Sequence, residues 1–232
     1  MKALLYKELK LAMHPVCYAF ILLFPLMAFV PDGASYPRSI AFIYILSCYP
    51  ILFLGANKGQ QSNDLLYSTL LPVRKKDIVL ARIITVLIMQ FAFMFLFSCC
   101  CVANYFITQQ MLASGDPDII KTFTPTGLGV NTTVLLLAFA IVGFAFADLI
   151  FFPIYYKNGK SIVMSTLFTI LGFAIYIVCV SIVLPIIIGP ELINSTPIWI
   201  QILALVGSII VSAGIHVLVY KISAKRLEKV DF

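Results

Sequence analysis

Charged side chains are what this chain has least of: they make up 11% of its 232 residues. A water-facing globular surface carries about 25%, so a soluble domain is excluded. No Gly-x-x-x-x-Gly-Lys-Ser/Thr stretch occurs, and nothing in the chain would cradle the phosphates of ATP. His-Glu-x-x-His is also missing, and the two histidines stand apart. His14 beside Pro15 reads as an interfacial residue and His216 as a helix-packing donor, neither as a metal ligand. The six cysteines all fall in apolar blocks, without metal spacing. Three neighbours such as Cys99-Cys100-Cys101 point to different helix faces and cannot share one ligand sphere, so the cysteines read as small buried hydrophobes. Barrel strands would alternate over about 10 residues, and no such alternation appears. A basic-aromatic patch outside the apolar blocks is lacking too, which removes nucleic acid from the candidate partners.

What is there is apolar and comes in blocks. Hydrophobic residues make up 62% of the chain, and the mean hydropathy is +1.04. Runs of about 20 apolar residues match the hydrocarbon thickness when wound as helix, and helices satisfy their own backbone hydrogen bonds there. The blocks predict an all-α membrane domain over residues 1–232 with six spans: Val16–Val30, Ser39–Ala56, Ile78–Ile107, Thr132–Tyr156, Ile162–Ile188 and Ile198–Tyr220. No small-x-small cleavage site follows the first span, which therefore reads as retained rather than as a signal peptide. The third block is long, and its Ile78–Arg82 end is expected to project beyond the membrane.

Basic residues set the orientation. All except Arg38 and Lys121 fall on one side of the predicted spans, which makes the termini, the 57–77 loop and the 157–161 turn cytoplasmic. The net charge of +6 is then a topology signal. Ahead of Pro15, Met1–His14 interleaves Lys2, Lys7, Glu8 and Lys10 with Leu4, Leu5, Leu9 and Leu11, as a helix lying in the interface would.

The 57–77 loop is the most informative stretch. Ser62, Asn63 and Asp64 offer N-caps and Pro72 stops the helix they would start. That helix would run about two turns and show Leu66, Tyr67, Leu70 and Leu71 as an apolar face to the cytoplasm. Such a face calls for a partner groove or the membrane surface, and the residues alone leave both open. Farther along, Pro185, Gly189, Pro190 and Pro197 suggest a bent or re-entrant outer element.

Within the spans, Asp148 is the one deep carboxylate. It lies nine residues before Lys157, roughly 13 Å along a helix. An ionisable group at that depth should face the bundle or water, as a cavity-lining residue, an interhelical hydrogen bond or a proton-relay site. Gln90 and Asn104 could line a pathway with it, or hydrogen-bond between helices. A carrier working through Asp148 without ATP would be expected to place further acids or basic partners in the spans, and none is evident. An intramembrane enzyme would need a second acid, a His pair or a nucleophile–base pair, also lacking.

The segment Asp64-Leu65-Leu66-Tyr67-Ser68-Thr69-Leu70-Leu71-Pro72-Val73-Arg74-Lys75-Lys76-Asp77, running into the third span, resembles the loop of type-2 ABC exporter permeases, in their small bacterial six-span subgroup. Pro153-Ile154-Tyr155-Tyr156-Lys157-Asn158-Gly159-Lys160 is similar to the turn after that subgroup's fourth helix. The tail Lys225-Arg226-Leu227-Glu228-Lys229-Val230-Asp231-Phe232 matches its basic-acidic-aromatic end, so the resemblance covers the whole chain. It implies a coupling helix over 60–72, with Asp64, Leu66, Tyr67, Leu70, Leu71, Pro72 and Arg74 meeting a separate ATPase subunit. A second permease copy would complete the path, with ATP and magnesium held by the ATPase and no cofactor on this chain. The subgroup includes exporters of amphipathic peptides, such as phenol-soluble modulins and lantibiotics, in the bacterial cell membrane.

Overall fold

The computed structural model describes residues 2–12, 21–23, 25–26, 73–113, 130–158, 162–179 and 197–229, and every regular element among them is helical. The helices are α1 (Lys2–Ala12), α2 (Lys75–Ala113), α3 (Val130–Asn158), α4 (Ile162–Val178) and α5 (Ile198–Glu228). Three of them, α2, α3 and α5, are long and apolar enough to cross a membrane, and α4 is a shorter apolar helix. They coincide with the third, fourth, fifth and sixth predicted spans. The first two predicted spans, the 57–72 stretch and the outer element after Pro185 lie outside the described residues, apart from 21–23 and 25–26.

Among the described helices, α3 is the centre. Ala145, Ala147, Asp148, Phe151 and Phe152 are fully buried on it, and α2, α4 and α5 all pack against it, α5 most extensively. Small residues let the helices approach. A Cβ placed on Gly143 would lie 2.8 Å from Tyr176 Cε1 and 3.1 Å from Phe173 Cε2 of α4, so glycine is what seats α4 there.

The polarity of the outer helices is inverted relative to a soluble protein. The buried stripe of α5 is Gln201, Ser208, His216, Val219, Ser223 and Leu227, mostly polar. Its exposed side carries Ile202, Leu203, Val206, Ile210 and Val217. α4 repeats the pattern, burying Ser165 and Thr169 while exposing Val163, Leu167, Leu171 and Ile175. In lipid, apolar side chains lose nothing by facing outward, whereas polar ones must find partners inside. Several find them within their own helix: Thr169 Oγ1 donates to the Ser165 carbonyl at 2.7 Å and Thr85 Oγ1 to that of Ala81 at 2.9 Å.

The Ile78–Arg82 segment is packed within the protein: Ile78, Val79 and Ala81 are fully buried and Arg82 is 1% exposed, covered by α1 and α3. One expectation changes. The cysteines are not uniformly buried, since Cys99 and Cys179 are exposed, Cys100 is half-buried and only Cys101 of those described is buried. Consecutive residues turn through successive helix faces, and in lipid an exposed thiol costs little.

Candidate functional site: two polar layers

Two polar clusters cross the bundle. The inner one joins α2, α3 and α5. Asp148 is completely buried; its Oδ2 accepts from Gln90 Nε2 at 3.1 Å and lies 3.0 Å from His216 Nε2. His216 Nδ1 lies 2.7 Å from the Ser212 carbonyl and 3.3 Å from the Ser212 hydroxyl. A carbonyl oxygen only accepts, so Nδ1 carries a hydrogen. A single further proton then lies between Nε2 and Asp148, and the pair as a whole is neutral whichever atom holds it. Oδ2 accepting from both Gln90 and His216 suits a carboxylate facing an imidazolium. Asp148 is therefore not a solitary acid, as its isolation in the sequence suggested. Asn104 is not in this cluster; it lies fourteen residues beyond Gln90 on α2, roughly 21 Å along the helix.

The second layer joins α1 to the Lys75 end of α2 and the Lys157 end of α3. Tyr155 is seven residues beyond Asp148, so the layers stand roughly 11 Å apart along α3. Arg82 donates from Nη1 to the Tyr155 hydroxyl at 3.1 Å, and its Nε lies 3.4 Å from Glu8 Oε2. The side chains of Arg82 and Glu8 are 0% and 6% exposed. Leu4 is buried one turn from Glu8, so one face of α1 docks on α2. Phe151 stacks on Tyr155 with ring centroids 5.9 Å apart, and Phe152 on Tyr156 at 6.3 Å. From α5, Arg226 donates to the carbonyl of Pro153, which lies inside α3.

Of the residues singled out at the loop, Asp64, Leu66, Tyr67, Leu70, Leu71 and Pro72 lie outside the described residues. Arg74 is described: it is exposed and its carbonyl accepts from the Asp77 amide at 2.9 Å, forming the turn that opens α2. The loop therefore passes into α2 within a few residues, and Arg82 is the second turn of that helix.

A sequence model of the ABC-2 family transporter proteins matches residues 3–226. The chain belongs to the ABC-2 transporter family. It is a membrane-embedded member, and the match takes in α1, both polar layers and nearly all of α5. Comparison with curated proteins finds no match, and comparison with solved structures finds none. The residues that sequence reading missed, Glu8 and Arg82, are the two charged groups most deeply placed in the second layer.

Proposed function

We propose that this ABC-2 protein is the permease subunit of an ATP-driven exporter. It would have six spans and cytoplasmic termini, act as a homo- or heterodimer in the bacterial cell membrane, and draw its energy from a separate ATPase that holds ATP and magnesium. The observation that carries this reading is the family match over residues 3–226. In this reading the 60–72 helix docks in the ATPase through Leu66, Tyr67, Leu70 and Leu71. Its displacement would move α2 directly, because only Val73 and Arg74 separate Pro72 from the start of α2 in the sequence. Arg82 would pass that movement to α1 through Glu8 and to α3 through Tyr155. ATP-driven closure would thus bias the bundle between inward and outward openings, a two-state mechanism. The cargo would be amphipathic peptides or other hydrophobic compounds.

The test is a pull-down of the tagged chain from gently solubilised native membranes, with bound ATPase activity assayed. An ATPase should co-purify, and Leu66→Glu or Tyr67→Ala should release it. If no ATPase activity binds, the coupling-helix reading is wrong. One observation favours a second reading, an ATP-independent carrier working through Asp148: the acid has a titratable partner in His216. That reading requires transport that follows a proton gradient and is lost in Asp148→Asn.

A further inference from the structure

A cavity of about 540 Å³ lies between α2, α3 and α5, beside the inner polar layer. Its wall is apolar, with Leu87, Phe91 and Met94 from α2, Phe144 from α3 and Ile209 from α5. The polar side chains that reach it are Gln90, Ser98, Ser212 and His216. Gln90 and His216 are held on Asp148, and Ser98 donates to the Met94 carbonyl at 2.7 Å. The cavity thus has one polar edge, at Ser212 and His216, in an otherwise greasy lining. Phe91 and Phe95 stand at its rim and are 73% and 61% exposed. They look outward from a helix long and apolar enough to cross a membrane, and a ligand that partitions into acyl chains would reach the cavity past them.

Size and charge narrow the ligand. A volume of 540 Å³ falls in the range of roughly 300–1,000 Å³ that takes drug-sized molecules. A 20-residue helix, about 10 Å across and 30 Å long, fills roughly 2,400 Å³, so a whole amphipathic peptide helix does not fit. The titratable side chain on the lining is His216, whose Nε2 is 3.0 Å from Asp148 Oδ2, so that with one proton shared between them the pair carries no net charge. A charged ligand would therefore sit in apolar surroundings without a counter-ion, which is costly. A neutral one needs only to place its polar group against the Ser212 hydroxyl.

We propose that this cavity is a lateral, lipid-side binding site for small neutral amphiphiles. The apolar body rests against Phe91, Met94 and Phe144, and a single hydroxyl or carbonyl meets Ser212. The proposal deepens the exporter reading, on which it rests for any role in export, by naming the class of molecule the site admits. Binding itself is measurable on the chain alone.

The probe is an octanol carrying a diazirine. It is photolysed with the full-length chain in phosphatidylcholine nanodiscs, and adducts are mapped by mass spectrometry. Saturable adducts should concentrate on Leu87, Phe91, Met94 and Ile209 and be competed by 1-octanol. Ala213→Phe places a ring in the cavity from an exposed position and should cut saturable labelling at least tenfold. Ser98→Leu should do the same from α2, which covers the case in which the first variant does not fold. Ser212→Ala should raise half-saturation about fivefold, the loss expected for one neutral hydrogen bond. Two outcomes overturn the proposal. In one, labelling is unsaturable and spread equally over outward residues such as Leu203 and Val211, so lipid tails fill the space. In the other, cavity adducts are absent while Phe91→Cys cross-links to a second copy, so the face is a dimer contact. Loss of ATPase co-purification alongside saturable labelling would remove the exporter reading and leave the site; unsaturable labelling with a bound ATPase would do the reverse.

Discussion

Removing Arg82 alone should destabilise this protein more than removing Arg82 and Glu8 together. The two side chains are 0% and 6% exposed, with Nε and Oε2 3.4 Å apart. Arg82→Met leaves the Glu8 carboxylate buried against α2, with Lys7 beside it at 4.0 Å and 32% exposed. A partly exposed pair of that kind contributes about 0–1 kcal/mol and does not compensate. Breaking a buried pair from one side costs about 3–5 kcal/mol, whereas replacing both charges by apolar groups of similar volume is close to neutral. The double variant Glu8→Met/Arg82→Met still loses the Tyr155 hydrogen bond, a net of about 1 kcal/mol. Arg82→Met alone is therefore expected to be less stable than the double variant by roughly 2–4 kcal/mol, and the two single losses together to exceed the double loss by more than that. Arg82→Lys should fall between, because a point charge replaces a fork that holds Glu8 and Tyr155 at once. The assay is denaturation of the purified full-length chain in mixed micelles, followed by far-ultraviolet circular dichroism for the four members of the cycle. If the two single-variant losses add to within about 0.5 kcal/mol, α1 is not docked through this ion pair and the second layer is misread.

Gly143→Ala should cost about 1–3 kcal/mol in the same unfolding assay. Its Cβ would come within 2.8 Å of a Tyr176 ring whose hydroxyl is pinned at 2.7 Å to the Phe139 carbonyl. Gly172→Ala should cost under about 1 kcal/mol, since it meets the terminal methyl of Ile150, which can rotate; equal losses at the two positions would contradict the seating of α4. Asp148→Leu leaves the Gln90 and His216 donors facing an alkyl group and should lose about 1–3 kcal/mol. Asp148→Asn keeps an acceptor and should lose no more than about 1.7 kcal/mol, the upper end for hydrogen bonds between membrane helices. The order of the two is checked by unfolding, and an equal loss would show that Asp148 is not bonded as described.

The apolar blocks that mark α2, α3, α4 and α5 were legible because lipid demands a minimum run of apolar residues, and run length is visible in one dimension. The direction each helix faces was not. Average hydropathy does not distinguish the lipid side of α5, with Ile202 and Ile210, from its buried side with Gln201 and His216. That Arg82 is buried was not legible, because an over-long block with a cation at one end looks like a helix leaving the membrane. Its partner Glu8 is seventy-four residues earlier, and no local pattern links the two. A signal did exist: Glu8 stands one turn from Leu4 on the amphipathic stretch, so a helix lying down with Leu4 inward brings Glu8 inward too. Asp148 and His216 also carried a clue. Each stands within nine residues of the first lysine that follows it, Lys157 and Lys221, so both lie toward the basic ends of their helices, and their 3.0 Å contact sets them at one depth.

Equal depth also bears on what the inner layer is for. A carrier must expose its proton-binding acid to water alternately on the two sides, and its charge must change as it does so. Asp148 is completely buried, and the cavity beside it is apolar apart from the Ser212 and His216 edge. Its contact with His216 makes a neutral unit that costs little to hold in lipid, and Gln90 extends that unit to a third helix. Three helices that could otherwise slide along smooth apolar faces are thereby fixed in register at one depth, as a single polar residue fixes register in a coiled coil. Arg82, Tyr155 and Arg226 repeat the fixing one layer away on the same three helices. Two such layers tie α2, α3 and α5 together at two depths, which the proposed exporter, pushed at one end by a partner, would require and a proton-driven carrier would not.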